Sequence, residues 1–148
     1  MHFTLKTFSE LTSTELYEIL KLRIDIFCVE QQVLYNDLDN KDQQCHHLIV
    51  RENSKIIGAL RLVPQGVSYQ DAASIGRLVV DQAYRRRGIA EQLMTSAIQT
   101  IKTIWQAPKI AISGQLYLKS FYESLGFTAV SDVYLEDTLP HIKLELAL

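Results

Sequence analysis

The amino-acid sequence predicts an α/β fold, with a single mixed, mostly antiparallel sheet that carries helices on both faces. Two observations lead to this prediction. The elements predicted along the chain follow the order β, α, β, β, β, α, β, α, β, β. Within that order, the strand–helix–strand unit from Ser74 to Ser113 requires a right-handed parallel crossover, whereas the flanking hairpins are antiparallel. We therefore expect one parallel pair inside the sheet, and a single domain over residues 1–148.

The strands are predicted from short apolar runs and from the alternation of apolar and polar residues. They cover His2–Thr7, His46–Val50, Lys55–Val63, Ser74–Val80, Lys109–Ser113, Phe127–Val130 and His141–Leu148. Turn-forming or polar residues separate each run from the next, as expected for strands joined by short connections.

The first helix is predicted from its N-terminal signal. Thr12 and Glu15 have the spacing of a capping box, in which each side chain accepts a hydrogen bond from the other residue's backbone. Apolar residues at helical spacing then extend the helix to about Cys28. The polar and acidic stretch Asn36–Gln44 predicts a loop after this helix.

Two further helices are predicted in the second half of the chain. One begins at Gly88 and carries an apolar stripe made of Ile89, Leu93, Ala97, Ile101 and Ile104. The other runs from about Gln115 to Leu125. It is followed by Gly126, a residue type suited to the left-handed conformation that ends many helices.

The composition argues against several classes of function. The net charge is −2, from 15 Lys and Arg against 17 Asp and Glu, so no overall positive field favours nucleic acid or an acidic membrane. No apolar run is long enough to cross a membrane, and no signal peptide is recognisable. The two cysteines, without C-x-x-C spacing, predict a reduced protein without a structural metal. We expect a soluble cytoplasmic protein.

A dense positive segment lies where the fourth predicted strand gives way to the second helix. Arg85, Arg86 and Arg87 stand directly before Gly88, and the small Ala90 follows. A helix N-terminus presents unpaired backbone N–H groups, and small residues let a ligand approach them, so this corner is suited to bind a phosphate. A solvated surface corner is the alternative. The segment lacks the glycine spacings of a P-loop or of a dinucleotide fingerprint.

Several separated stretches resemble one enzyme family. Arg85-x-x-Gly88-x-Ala90 resembles the Gln/Arg-x-x-Gly-x-Gly/Ala signature of the GNAT N-acetyltransferases, and Gln115–Phe127 resembles that family's second cofactor-side helix. The order of predicted elements also matches the family's acyl-CoA N-acyltransferase fold. The ElaA-like branch is indicated by Leu16–Asp42, Ile75–Val80 and Val133–Leu144. Thr138 departs from that branch's pattern, which has glycine there.

The resemblance implies an acetyl-CoA-dependent N-acetyltransferase that transfers the acetyl group directly to a primary amine of a small molecule or protein. Acetyl-CoA is then a co-substrate, and no metal is implied. The cofactor is expected in a gap between the strand ending at Val80 and the strand ending at Ser113. The residues expected to bind it are Leu78, Val79 and Val80 through their backbone, Arg85, Arg86, Arg87, Gly88, Ile89 and Ala90 around the pyrophosphate, and Gln115.

Tyr122 is the residue to which the resemblance assigns the role of general acid, protonating the departing thiolate of CoA. The residues by themselves favour another interpretation, an aromatic side chain in the core of a helical layer. Its neighbour Phe121 already supplies an apolar anchor, and adjacent helix positions point in different directions.

The sequence does not single out a general base. Candidates by chemistry are Glu30, Asp37, Asp39, His46, His47, Glu136 and His141. Most of the carboxylates are expected on a solvated loop face, and the inward-facing histidine of the adjacent pair is expected to be a hydrogen-bonded core residue. Arg77 stands inside an apolar strand, so it is expected to pair with a carboxylate from the Glu30–Asp42 region or to bind substrate.

Two other functions stay open at this level: a non-catalytic CoA-binding module, and a generic anion-binding or interaction domain that uses the arginine cluster. The sequence indicates neither the acceptor amine nor the oligomeric state. A homodimer through a sheet edge or through the C-terminal strand is compatible with it.

Overall fold

The computed structural model describes residues 1–148. The strands are β1 (His2–Thr7), β2 (His46–Glu52), β3 (Lys55–Val63), β4 (Ser74–Val80), β5 (Lys109–Gln115), β6 (Thr128–Ala129), β7 (Tyr134–Glu136) and β8 (Leu139–Ala147). The helices are α1 (Ser13–Ile24), α2 (Ile89–Ile104) and α3 (Lys119–Ser124). Strands β1 to β4 pair in consecutive antiparallel order, whereas β8 lies between β5 and β6 and also pairs with β7. None of the helices combines the length and the apolar character needed to cross a membrane.

The two groups of strands are joined at one point. Ala73, just before β4, forms a parallel bridge with Ile110 in β5. The Ala73 N–H donates to the Lys109 carbonyl at 3.1 Å, and the Ala111 N–H donates to the Ala73 carbonyl at 2.9 Å. Beyond this bridge β4 and β5 are not paired. The predicted α/β sheet with a central parallel crossover is confirmed, and its two halves diverge after the crossover.

Helices cover both faces of the sheet, as predicted. Ile19 and Leu22 of α1 pack against Ala59 of β3, whereas the next residue, Leu60, belongs to the core beneath α2. Successive side chains of a strand point to opposite faces, so α1 and α2 lie on opposite sides. The α2 residues Ile89, Leu93, Ala97 and Ile101 are at most 2% exposed. Ile104, the last residue of α2, is 46% exposed and departs from the predicted stripe.

The capping box at the start of α1 is confirmed. Thr12 Oγ1 accepts from the Glu15 N–H at 3.1 Å, and Glu15 Oε1 accepts from the Thr12 N–H at 2.9 Å. The α-helix ends at Ile24, but a π-helical segment, Asp25–Glu30, continues it past the predicted end at Cys28. Such wide turns shift side chains relative to regular helical positions and occur often at functional sites. Here the segment leads towards the opening of the sheet.

The third helix is shorter than predicted. Gln115 belongs to β5 and pairs with His141 of β8, and Leu116–Leu118 form a 3-10 turn, so that α3 begins only at Lys119. Apolar spacing alone could not show this, because the ladder with β8 determines how far β5 extends. Gly126 follows α3 with a φ of 102°, in agreement with its predicted role at the helix end.

The β7–β8 hairpin is the element that sequence analysis missed. It places the start of β8 at Leu139 instead of His141. Glu136 pairs with Leu139 across a two-residue turn, in which Asp137 has a φ of 51° and Thr138 a φ of 66°. Positive φ at both central residues is what a type I′ turn requires. The tight turn therefore forms although Thr138 replaces the expected glycine.

We expect Thr138→Gly to stabilise the fold. A side chain in the left-handed region costs about 1–2 kcal/mol, and part of that gain is offset because glycine has more freedom in the unfolded chain. The free energy of unfolding in urea should therefore rise by about 0.5–1 kcal/mol. Asp132→Gly, at an exposed position without positive φ, is the matched control and should lower stability. Equal effects of the two changes would contradict strain at Thr138.

Candidate active site

A cleft opens where β4 and β5 separate. Its volume is about 420 Å³, and its walls come from β4, β5, the π-helical segment, α3 and the β7–β8 hairpin. Apolar residues line much of it, including Ile26, Phe27, Leu118 and Phe121. Concave, largely apolar clefts with a few polar groups are typical of small-molecule sites. No group of three or more His, Cys, Asp or Glu side chains is arranged to hold a metal ion.

A β-bulge shapes the β4 wall of this cleft. Ala59 pairs with Val79 and Arg61 pairs with Gly76, so Leu60 of β3 stands opposite two residues of β4, Arg77 and Leu78. Arg77 has a φ of 53°. A bulge leaves the extra residue outside the regular ladder and re-aims the neighbouring groups. Backbone groups of β4 are thereby released from β3 beside the cleft.

The predicted cofactor-binding residues outside the arginine loop all line the cleft. Leu78, Val79 and Val80 form its β4 wall and Gln115 stands on the β5 side. The Val79 side chain packs into the core under α1, so a ligand at this position can contact this residue only through its backbone. Gln115 Nε2 donates to Gln31 Oε1 at 3.4 Å, which joins β5 to the end of the π-helical segment.

The predicted phosphate loop lies at one end of the cleft. Arg86 has a φ of 64° and Gly88 a φ of 73°, and α2 begins directly after Gly88. A smaller adjoining cavity of about 190 Å³ is lined by Arg85, Arg86, Gly88, Ile89 and Ala90. Around Gly88 the nearest neighbouring atom, Gln92 Nε2, lies 4.0 Å from where a Cβ would be. The first N–H groups of α2 therefore border a space that a ligand can enter.

The three arginines occupy different positions. Arg85 donates to both carboxylate oxygens of Glu30, at 2.9 and 2.8 Å, across the mouth of the cleft. Arg87 lies outside both cavities, with its guanidinium 5.0 Å from the Tyr84 ring and 3.8 Å from a Glu52 oxygen. Only Arg85 and Arg86 are placed to bring a side-chain charge to a bound phosphate.

Tyr122 is both a core residue and part of the cleft wall. Its ring packs edge-on against Phe121 and Phe127, with centroid distances of 5.3 and 6.1 Å, and the residue is 9% exposed. A Cβ at Gly114 would lie 2.7 Å from Tyr122 Cε2, so the ring depends on glycine there. The pKa of Tyr122 is raised to about 12. Burial is the main cause, and electrostatic repulsion from Tyr117 is the second. The phenol therefore retains its proton at neutral pH.

The structure places some of the candidates for the general base in the cleft and others outside it. Glu30, Glu136 and His141 line the cleft. His47 Nε2 lies 2.9 Å from the Asp42 carbonyl, and burial lowers the pKa of this histidine, which confirms the prediction of a hydrogen-bonded core residue. His46 packs its ring against Trp105 at 5.3 Å, away from the cleft.

A buried ionic network contradicts the expected solvated loop face. Arg77 Nε lies 3.0 Å from Asp37 Oδ1 and Arg77 Nη2 lies 3.2 Å from Asp39 Oδ2, which confirms the predicted pairing of Arg77. The Asp37 side chain is fully buried. Arg23 and Arg61 complete the network on Asp37, Asp39 and Asp42. The long loop is therefore tied to the sheet by its carboxylates.

Sequence analysis missed Arg23 and Arg61. Both stand among apolar residues, Arg23 in α1 and Arg61 in β3, which is the same signal that singled out Arg77. It also missed Ser113 and Tyr134, whose hydroxyl groups contact each other near Glu136. Neither has a distinguishing pattern in the sequence: Ser113 is a small polar residue at the end of a predicted strand, and Tyr134 belongs to β7, which was not predicted.

Comparison with known proteins identifies the family of this chain. Residues 21–148 match the family described as the acetyltransferase (GNAT) domain. A UPF0039 protein of Schizosaccharomyces pombe is 39% identical over 150 residues, covering 100% of this chain and 98% of that protein. Protein ElaA of Escherichia coli is 33% identical over 136 residues, covering 90% and 88% of the two chains. An acyl-CoA N-acyltransferase structure from Pseudomonas aeruginosa matches with a TM-score of 0.91 at 36% identity, over 99% of this chain and 100% of that chain.

The family match spans most of the residues described, including the arginine loop, the bulged strand and the helix that carries Tyr122. The relatives also match over nearly their whole length. The chain therefore belongs to the GNAT family, in its ElaA-like branch, and is an acyl-CoA-dependent acyltransferase.

Proposed function

We propose that the chain is an acetyl-CoA-dependent N-acetyltransferase that acts on a primary amine of a small molecule or protein. The separation of β4 from β5 beyond the Ala73–Ile110 bridge carries this proposal, because it opens the cleft next to the bulge. The fit of the donor is supported by two features. Backbone groups of β4 are free to pair with an extended arm, and the space beside Gly88 is open to a phosphate.

The proposed roles follow from position. The backbone of Leu78, Val79 and Val80 holds the pantetheine arm, and an N–H of this wall polarises the thioester carbonyl. The loop from Arg85 to Ala90 binds the pyrophosphate through backbone N–H groups and the first two arginine side chains. Tyr122 holds a proton for the leaving sulfur. The bound donor supplies an activated acyl group, and the cleft supplies proximity to the amine.

Two measurements test this function. Calorimetry should detect binding of CoA, and absorbance should detect release of its thiol from acetyl-CoA when a panel of primary amines is supplied. Absence of CoA binding at millimolar concentration would rule out the donor site. Binding of CoA without turnover of acetyl-CoA or of longer acyl-CoA donors by any amine would favour the non-catalytic module instead.

Arg85→Ala should weaken CoA binding about tenfold or more, because a charge-assisted bond from a guanidinium to phosphate is worth about 1.5–3 kcal/mol. Arg87→Ala removes the same charge outside the cleft and is the matched control, which should change the affinity little. Glu30→Gln should tighten CoA binding, because the Glu30 carboxylate is bound to the Arg85 guanidinium in this structure and competes with a phosphate for it.

The same calorimetry identifies the part of the ligand that Arg85 contacts. Pantetheine lacks the pyrophosphate, so its affinity should be equal in the wild-type protein and in Arg85→Ala. If pantetheine and CoA were weakened to the same extent, the pyrophosphate role of Arg85 would be contradicted.

A further inference from the structure

A polar cluster occupies the hairpin end of the cleft, on the wall formed by β5, β7 and β8. Ser113 donates to Glu136 Oε1 at 3.1 Å, and its Oγ also contacts the Tyr134 hydroxyl. His141 is 7% exposed and stacks on Tyr134 with a centroid distance of 6.3 Å. Its Nε2 lies 3.5 Å from Glu136 Oε2 and makes no hydrogen bond within the protein.

We propose that His141 accepts the proton of the incoming ammonium group and that Glu136 holds this ammonium beside it. The proposal rests on the proposed N-acetyltransferase function and identifies the base and the class of acceptor for the same cleft. The acceptor is a primary amine whose neighbouring groups are neutral or cationic.

The tautomer of His141 follows from its second ring nitrogen. Nδ1 lies 2.8 Å from the Leu139 carbonyl oxygen, which can only accept, so Nδ1 carries the hydrogen. In the neutral imidazole the lone pair is then on Nε2, next to the cleft. In the proton transfer one N–H bond of the ammonium breaks, its electron pair stays on the amine nitrogen, and the proton bonds to Nε2. The products are a neutral amine and an imidazolium next to the Glu136 carboxylate.

Three of the carboxylates considered as the base already form ion pairs with arginines. Glu30 is bound by Arg85, and Asp37 is bound by Arg23 and Arg77. A carboxylate that neutralises a guanidinium is a poor proton acceptor, because protonation leaves the arginine unpaired. A third carboxylate candidate, Asp39, is bound by Arg61 and Arg77. His46 and His47 lie outside the cleft. His141 is the cleft histidine without such a partner.

The charges that face this end of the cleft select the acceptor. Around His141 stand Glu136 and Tyr134 of β7, the uncharged Gln115 of β5 and, in the adjoining turn, Asp137. The nearest arginines in the cleft wall, Arg77 and Arg85, are ion-paired. The unpaired charge is therefore negative, which favours an ammonium and repels an acceptor that carries a carboxylate.

Binding at the cluster can be observed without turnover. In protein saturated with CoA, n-butylamine, putrescine and γ-aminobutyrate are titrated while the histidine ring resonances are recorded by NMR. The His141 resonance is assigned by its loss in His141→Gln. We expect it to shift with n-butylamine, at lower concentration with putrescine and at higher concentration with γ-aminobutyrate. No shift with any amine, or tightest binding of γ-aminobutyrate, would overturn the proposal.

Kinetics distinguish a proton acceptor from a structural residue. With the fastest of the three amines, kcat/KM of His141→Gln should be about 100-fold lower at neutral pH. The loss should shrink as the pH approaches that of amine deprotonation, about 10, because the amine then arrives neutral. Glu136→Gln should instead raise KM for the amine about tenfold with little change in kcat. A loss that is constant with pH would contradict the role of His141.

Control measurements distinguish a failure of the base assignment from a failure of the proposed N-acetyltransferase function. His2→Gln replaces an exposed histidine of β1 outside the cleft and should leave the pH profile unchanged. CoA affinity should be unchanged in His141→Gln. If CoA binds and amines are acetylated while His141→Gln keeps the wild-type rate, only the base assignment fails. If CoA does not bind the wild-type protein, the proposed function itself fails.

Discussion

Replacing Tyr122 with phenylalanine should lower the rate of acyl transfer about 1000-fold and leave CoA affinity nearly unchanged. A positioned general acid contributes about 100- to 10,000-fold, and this phenol stands in the cleft wall. Burial raises its pKa to about 12, so it carries its proton at neutral pH. Phenylalanine keeps the ring that packs on Phe121 and Phe127, so the core should be preserved. The measurement is the single-turnover rate at saturating donor, with calorimetry of CoA binding alongside.

Two further variants distinguish the effect of the Tyr122 hydroxyl on the rate from the effect of its ring position. Tyr17→Phe removes a hydroxyl from a residue that is 72% exposed on α1 and should have no effect on the rate. Gly114→Ala keeps the Tyr122 hydroxyl but forces its ring to move, because the new Cβ would lie 2.7 Å from Cε2. It should also slow transfer. A wild-type rate in Tyr122→Phe would remove the assignment of Tyr122 as general acid.

Asp37→Asn should destabilise the protein by about 3–5 kcal/mol, measured as the free energy of unfolding in urea. The Asp37 carboxylate is fully buried between Arg23 Nε at 2.9 Å and Arg77 Nε at 3.0 Å. The amide keeps the shape of the side chain but removes its charge, so two guanidinium groups lose a counter-ion in a site with little water. Removing one partner of a buried ionic network is costly for this reason.

Asp132→Asn is the control for this change. Asp132 is exposed and takes part in none of the ion pairs, so its stability effect should be within about 0.5 kcal/mol. An Asp37→Asn protein as stable as the control would show that the network does not hold the loop. Because Arg77 lies in the bulge of β4, loosening the network should also weaken CoA binding to that wall.

Local signals in the sequence were sufficient for much of the fold. The capping box of Thr12 and Glu15, the apolar stripe of α2 and the positive φ of Gly126 depend on residues within one or two turns of each other. The exceptions are also informative. The start of α3 depends on the ladder between β5 and β8, whose paired residues are 26 to 38 positions apart. The β7–β8 hairpin is local, but β7 has only three residues and the turn lacks the glycine that is typical of a type I′ turn.

The buried network illustrates the same limit at the level of side chains. Acidic residues in a polar stretch are usually solvated, and this expectation failed for Asp37 because three arginines from α1, β3 and β4 converge on the loop. Arg61 and Asp39 are 22 positions apart, and Arg77 and Asp39 are 38 positions apart. No local sequence pattern indicates which distant residues form an ion pair, although an arginine in an apolar strand indicates that it must have a partner.

The sequence determined the α/β fold through the order of its elements, and it indicated the arginine loop before α2 through a short pattern of residue types. Tyr122 became a candidate acid only through the resemblance to the family. Only the tertiary structure decided which side chains meet in the cleft. It placed Arg85 on Glu30, 55 positions away, and directed Arg87 out of the cleft. It also brought His141 and Glu136 to the same wall through a hairpin that local patterns did not reveal. The reason is physical: the opening of the sheet sets the distances between residues on separate elements, and that opening depends on packing across the whole chain.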